Sequence, residues 1–69
     1  MSENVYKFIE LVGTSAVSWE DAAKQAVETA GKTLTGLRVA EIIKLDMTVE
    51  DGKVENYRTR VSVSFKLED

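Results

Sequence analysis

The chain has 69 residues and contains neither cysteine nor histidine. That double absence limits its folding options more than any motif does. A domain this short buries only about 60% of the surface its unfolded chain exposes. Such domains usually gain stability from disulfides, a bound metal or association of copies. Disulfides are excluded here, and so are the common structural zinc sites, which need Cys or His ligands. Association of identical copies is the remaining common solution. The same absence removes every Ser-His and Cys-His nucleophilic pair, within one copy or between copies.

Nine basic and twelve acidic residues leave a net charge of -3. No basic tract marks a phosphate-backbone surface, so no nucleic-acid partner is expected. The longest apolar run is far short of the roughly 20 residues that span a bilayer, so no membrane partner is expected either. The opening MSENVYKF lacks the charged-then-apolar order of a secretory signal, which makes the cytoplasm the expected location. Residues 1–69 read as one domain, without repeat, linker or low-complexity segment.

The spacing predicts a first strand over Val5 to Val12, ended by a turn or loop at Gly13-Thr14-Ser15. Val5, Ile9 and Leu11 fall on one face, and Tyr6, Phe8 and Val12 on the other. A strand apolar on both sides belongs in a sheet centre or an interface. Ser18 is a good helix N-cap, with Glu20 and Asp21 at the positive end of the helix dipole. Trp19, Ala22, Ala23, Ala26, Val27, Ala30 and Leu34 recur at helical spacing, so a helix is predicted from Ser18 to about Leu34. Its opposite face pairs Glu20 with Lys24 and Glu28 with Lys32. Because the buried stripe is mostly alanine, the core is thin.

Two long strands follow. Val39 to Glu50 has Val39, Ile43, Leu45, Met47 and Val49 on one face and Ala40, Ile42, Lys44, Asp46 and Thr48 on the other. Asp51-Gly52 is a strong two-residue hairpin turn, since both positions tolerate positive φ. Lys53 to Leu67 then alternates, with Tyr57, Val61, Val63, Phe65 and Leu67 opposite Arg58, Arg60, Ser62, Ser64 and Lys66. A strand of a dozen residues reaches about 40 Å, whereas the predicted helix covers about 25 Å. One helix cannot cover such a sheet, and the open apolar surface calls for a further copy.

In order, spacing and length the sequence resembles the dodecin family. The residues that carry this are ELVGTS (Glu10 to Ser15), SWEDAA (Ser18 to Ala23), VAEI (Val39 to Ile42), the Asp51-Gly52 hairpin and VSVSFKLE (Val61 to Glu68). The resemblance implies an α+β fold: a β-α-β-β protomer whose three-stranded antiparallel sheet wraps around one helix, assembled as a hollow homododecamer. It also implies a non-enzymatic small-ligand binding or storage protein, with flavin (FMN, FAD or riboflavin) as the ligand of typical members.

In flavin-binding members a tryptophan opening the second strand stacks on the flavin, and the matching position here is Val39. A third-strand glutamine of those members bonds the polar flavin edge, and the matching position is Arg58. Valine offers no π face, and arginine donates hydrogen bonds but cannot accept one. Val39, Glu41 and Arg58 are the candidate ligand-binding residues. The sequence is closer to a divergent, calcium-dodecin-like branch, sharing Ser18-Trp19-Glu20, Arg38-Val39-Ala40, Asp46-Met47, Tyr57-Arg58 and Ser64-Phe65-Lys66. The alternative expectation is therefore a calcium-binding or purely structural shell that holds no flavin.

Trp19 is expected as a packing or subunit-contact residue, and Tyr6 and Tyr57 as packing residues rather than ligand platforms. Arg58 and Arg60, two residues apart on the polar side of the strand, are expected in intersubunit salt bridges with Glu41, Asp46 or Glu55, with an anion-facing pair as the alternative. Asp46, Glu50, Asp51 and Glu55 cluster in sequence around the hairpin without matching an EF-hand loop, so the metal ligands are unassigned. An enzyme using Glu41 with Arg58 is the remaining alternative, and no motif beyond those two residue types supports it.

Overall fold

The computed structural model describes residues 5–67. It contains strand β1 (Tyr6–Ser15), helix α1 (Trp19–Ala30), strand β2 (Leu37–Glu50) and strand β3 (Lys53–Lys66). The strands form one antiparallel sheet in the order β1-β3-β2, so the last strand lies in the middle. The predicted β-α-β-β architecture is the one observed.

The first strand runs longer than its sequence suggests. Gly13, Thr14 and Ser15 stay in the ladder, opposite Thr59, Arg58 and Tyr57 of β3. The glycine is there for close approach rather than for a turn. A Cβ at Gly13 would lie 2.0 Å from the Ala22 carbonyl oxygen and 3.0 Å from the Ala26 Cβ. With no side chain in the way, α1 lies directly on β1, and its small residues complete the fit: Ala22, Ala26 and Ala30 are buried.

Ser18 caps the helix as predicted, its hydroxyl accepting from the Asp21 amide at 3.0 Å. The helix ends at Ala30, short of Leu34. Gly31 is the C-cap, and the next amides close tighter turns, Lys32 onto the Thr29 carbonyl and Thr33 onto the Ala30 carbonyl, both at 3.2 Å. Such three-residue closures commonly finish a helix whose last turn is weak. Gly36, with φ of +78°, then redirects the chain into β2. At the far end, Asp51 and Gly52 both adopt positive φ, 53° and 74°, as the hairpin requires.

The core is small. Ala26, Val61 and Val63 are buried, with Ile9, Leu11, Ala23, Val27 and Leu37 packed around them. It sits between α1 and the β1–β3 half of the sheet. Beyond the helix edge, Ile42, Leu45 and Met47 of β2 stay exposed. The molecule measures 57 × 19 × 13 Å, and a 12-residue helix covers only about 18 Å of that length.

β2 does not keep a single alternation. Ile42 pairs with Val61 but Lys44 pairs with Arg60, which leaves Ile43 as an extra residue. Such a bulge exchanges the faces of everything beyond it. Leu45 and Met47 therefore share the helix side with Ile42, not with Val39. Val39 and Glu41 lie on the opposite side with Lys44, Asp46 and Thr48. Among the described residues no helix is long and apolar enough to cross a membrane.

Candidate functional site

The sheet face away from α1 carries all three candidate ligand residues, in rows that the register fixes. Going along the sheet, the rows are Phe8–Ser64–Val39, Glu10–Ser62–Glu41, Val12–Arg60–Lys44 and Thr14–Arg58–Asp46. The face thus runs from an apolar end, through an acidic row and a basic row, to an ion-paired end.

At the apolar end, Phe8 and Val39 are 64% and 63% exposed. Between them Ser64 is buried, and its short side chain leaves a notch. Tyr6, Phe8, Arg38, Val39 and Ser64 line an open recess of about 580 Å³ there. The sequence drew attention to Val39 and passed over Phe8. The signal was nonetheless available, because Phe8 has the same strand parity as Tyr6 and Val12.

Arg58 sits elsewhere. Six residues of β3 separate it from Ser64, about 20 Å at roughly 3.3 Å per residue. Within one protomer, Val39 and Arg58 are too far apart to lie against the same ring of a ligand. Glu41 is one row from Val39 and two rows from Arg58, so the Glu41–Arg58 pair is not brought together either.

Arg58 is also engaged. Its Nε and a terminal nitrogen donate to the two carboxylate oxygens of Asp46 at 2.8 and 2.9 Å. This pair lies within the protomer, across β2 and β3, and corrects the expectation of an intersubunit bridge for Asp46. The hydrogen bond from Arg58 holds the Asp46 carboxyl below the usual carboxylate range, helped by the charges of Lys44 and Arg60. Asp46 in turn raises the proton affinity of the guanidinium.

Trp19 packs as expected. Its ring meets Tyr57 edge-on at 5.0 Å and 68°, and its indole N–H donates to the Asp46 carbonyl at 2.9 Å. The Trp19 carbonyl accepts from the buried Thr59 hydroxyl at 2.8 Å. The helix start and the Asp46–Arg58 row are thereby tied together from opposite sides of the sheet. A second knot joins β1 to α1. The Ser15 hydroxyl donates to Asp21 at 2.6 Å while accepting from the Val17 amide at 2.9 Å. The bond from Ser15, with another from Gln25, lowers the Asp21 pKa.

The hairpin carboxylates do not converge. Asp46 faces Arg58, and Glu55 accepts from the Thr48 hydroxyl at 3.3 Å. Among the described residues no three acidic side chains are grouped to hold a metal ion.

The family model described as Dodecin matches residues 5–68 of the chain. The calcium dodecin of Mycobacterium tuberculosis is 44% identical over 64 residues, covering 93% of this chain and 90% of that protein. The dodecin of Thermus thermophilus is 38% identical over 65 residues, covering 94% of each chain. The dodecin structure from Streptomyces coelicolor superposes with a TM-score of 0.92 at 33% identity, covering 100% of this chain and 99% of that one. Sequence and fold agree along the whole described length, and the chain belongs to the dodecin family.

Proposed function

We propose that the chain works as a homododecamer that binds and stores a small ligand without chemically converting it. The observation that carries this reading is the sheet that one helix leaves uncovered. Phe8, Val12 and Val39 are exposed on one face, and Ile42, Leu45 and Met47 on the other beyond the helix edge. Large apolar side chains left open on both faces of one sheet mark contact surfaces rather than an isolated domain. Contacts between copies cover such surface and enclose the space between them.

The ligand class that best fits the open face is a planar aromatic molecule such as a flavin, seated at the Tyr6, Phe8 and Val39 recess. Val39 supplies no ring, but Phe8 offers one in the same row, where offset or edge-on stacking is worth about 0.5–1.5 kcal/mol beyond burial. Arg58 reaches the ring of such a ligand only from another copy, because within its own protomer it is about 20 Å away.

Calcium is the second reading, favoured by the 44% identity to a protein named calcium dodecin. Calcium takes six to eight oxygen ligands. One protomer brings no three carboxylates together among its described residues, so several copies would have to share the ion.

Native mass measurement with ligands retained tests the assembly. Twelve copies of a 7.7 kDa chain give about 92 kDa. Riboflavin added at micromolar concentration separates the ligands. Loss of its fluorescence supports flavin binding, whereas full fluorescence with a calcium-specific rise in Tm that magnesium does not reproduce supports the second reading.

A further inference from the structure

The open face contains a pair of like charges that form no salt bridge among the described residues. Lys44 and Arg60 are direct cross-strand partners, and both are exposed. Like charges directly opposite each other destabilise a sheet. The juxtaposition arises from the bulge at Ile43, because an unbroken alternation would place Lys44 on the other face. The next row adds Arg58, whose charge is already taken by Asp46.

The row on the other side carries Glu10 and Glu41. Yet the Arg58–Asp46 pair is the only ion pair within 4.0 Å among the described residues. Lys44 and Arg60 thus point two unpaired cations at the same patch of the sheet. Val12 borders the patch on β1, and Asp46, already bonded, borders it on the far side. Two cations thus stand side by side between an acidic row and the Asp46–Arg58 pair.

We propose that Lys44 and Arg60 form an oxyanion site for a phosphate or pyrophosphate group. The guanidinium supplies a planar fork of donors suited to two phosphate oxygens, and the ammonium supplies a mobile point charge. A doubly charged tetrahedral anion between them converts the repulsion across β2 and β3 into two charge-assisted contacts. The site is separate from the aromatic recess and does not depend on a flavin being the stored ligand.

The test uses the intact assembly in phosphate-free buffer. Inorganic pyrophosphate should raise Tm above a sodium chloride control of equal ionic strength. The Lys44→Gln/Arg60→Gln variant should bind pyrophosphate at least about tenfold more weakly, since both charge-assisted contacts are lost. Lys44→Arg should keep the affinity. Without anion, the double variant should be as stable as the parent or more so, because the repulsion is gone. A double variant that loses Tm or native mass without anion would show that carboxylates of another copy fill the site, and the proposal falls. It falls equally if pyrophosphate has no effect beyond sodium chloride on the unmodified protein, a measurement that requires no variant to fold. Flavin mononucleotide and riboflavin distinguish the source of the anion. A phosphate-dependent gain that the double variant loses assigns the group to the tail of the stored ligand. Equal binding of the two, with pyrophosphate still bound, assigns it to a free anion.

Discussion

Asp46 and Arg58 meet across β2 and β3 through two parallel hydrogen bonds of 2.8 and 2.9 Å, while the Asp46 backbone carbonyl accepts from the Trp19 indole. One residue therefore fastens an arginine on the open face and the helix start on the other. The side chains of the pair are 41% and 38% exposed, so solvent screens much of their attraction. Asp46→Asn should lower Tm by only a few degrees, because the carbonyl bond to Trp19 survives. Trp19→Phe, which removes the indole donor, should cost more. Thermal unfolding of the two variants checks the order.

Acid should weaken the fold through two identified carboxylates. Asp21 is lowered by the Ser15 and Gln25 hydrogen bonds, and Asp46 by Arg58. A carboxylate with a depressed folded pKa adds stability that is fully present above its unfolded value, about 3.9. That stability is lost as pH falls through the lower folded value. Stability from these groups should be flat from neutrality to about pH 5 and fall below about pH 4. The Asp21→Asn/Asp46→Asn variant should show a shallower acid limb in urea unfolding; an unchanged limb would assign acid sensitivity to other groups.

Gly13→Ala should be the most damaging small substitution. The added methyl group would meet the Ala22 carbonyl oxygen at 2.0 Å, and backbone on both sides cannot move aside cheaply. Overpacking of this kind costs about 1–3 kcal/mol and occasionally more. Urea midpoints measured at matched slope should place it above any single surface change.

Thr59→Val keeps the shape of a fully buried side chain and removes only its hydroxyl bond to the Trp19 carbonyl. The expected loss is about 1 kcal/mol. A loss several times larger would mean that the bond positions the helix start.

Phe8→Ala should weaken riboflavin binding, and Val39→Trp should strengthen it, by about 2- to 13-fold if one aromatic contact of about 0.5–1.5 kcal/mol is lost or gained. Fluorescence quenching of riboflavin measures both. Equal affinities in all three proteins would remove the recess from the ligand site.

The element order, the N-cap at Ser18, the Asp51-Gly52 hairpin and the alternation of β3 are all legible in the amino-acid order. Each of these rests on local chemistry: a hydroxyl beside free amides, backbone that tolerates positive φ, a period of two. That one helix is too short for this sheet is legible too, since length follows from residue number. The remaining features follow from packing between elements. Gly13-Thr14-Ser15 reads locally as a turn, yet it continues β1 because α1 needs a surface without a side chain. The bulge at Ile43 is hard to read locally, because Ile42 and Ile43 are both apolar and either can take the helix side. That one extra residue moves Leu45 to the helix side and sets Lys44 opposite Arg60. Val39 and Arg58, adjacent in importance by resemblance, prove to be about 20 Å apart along β3, a separation fixed by pairing across strands rather than by composition.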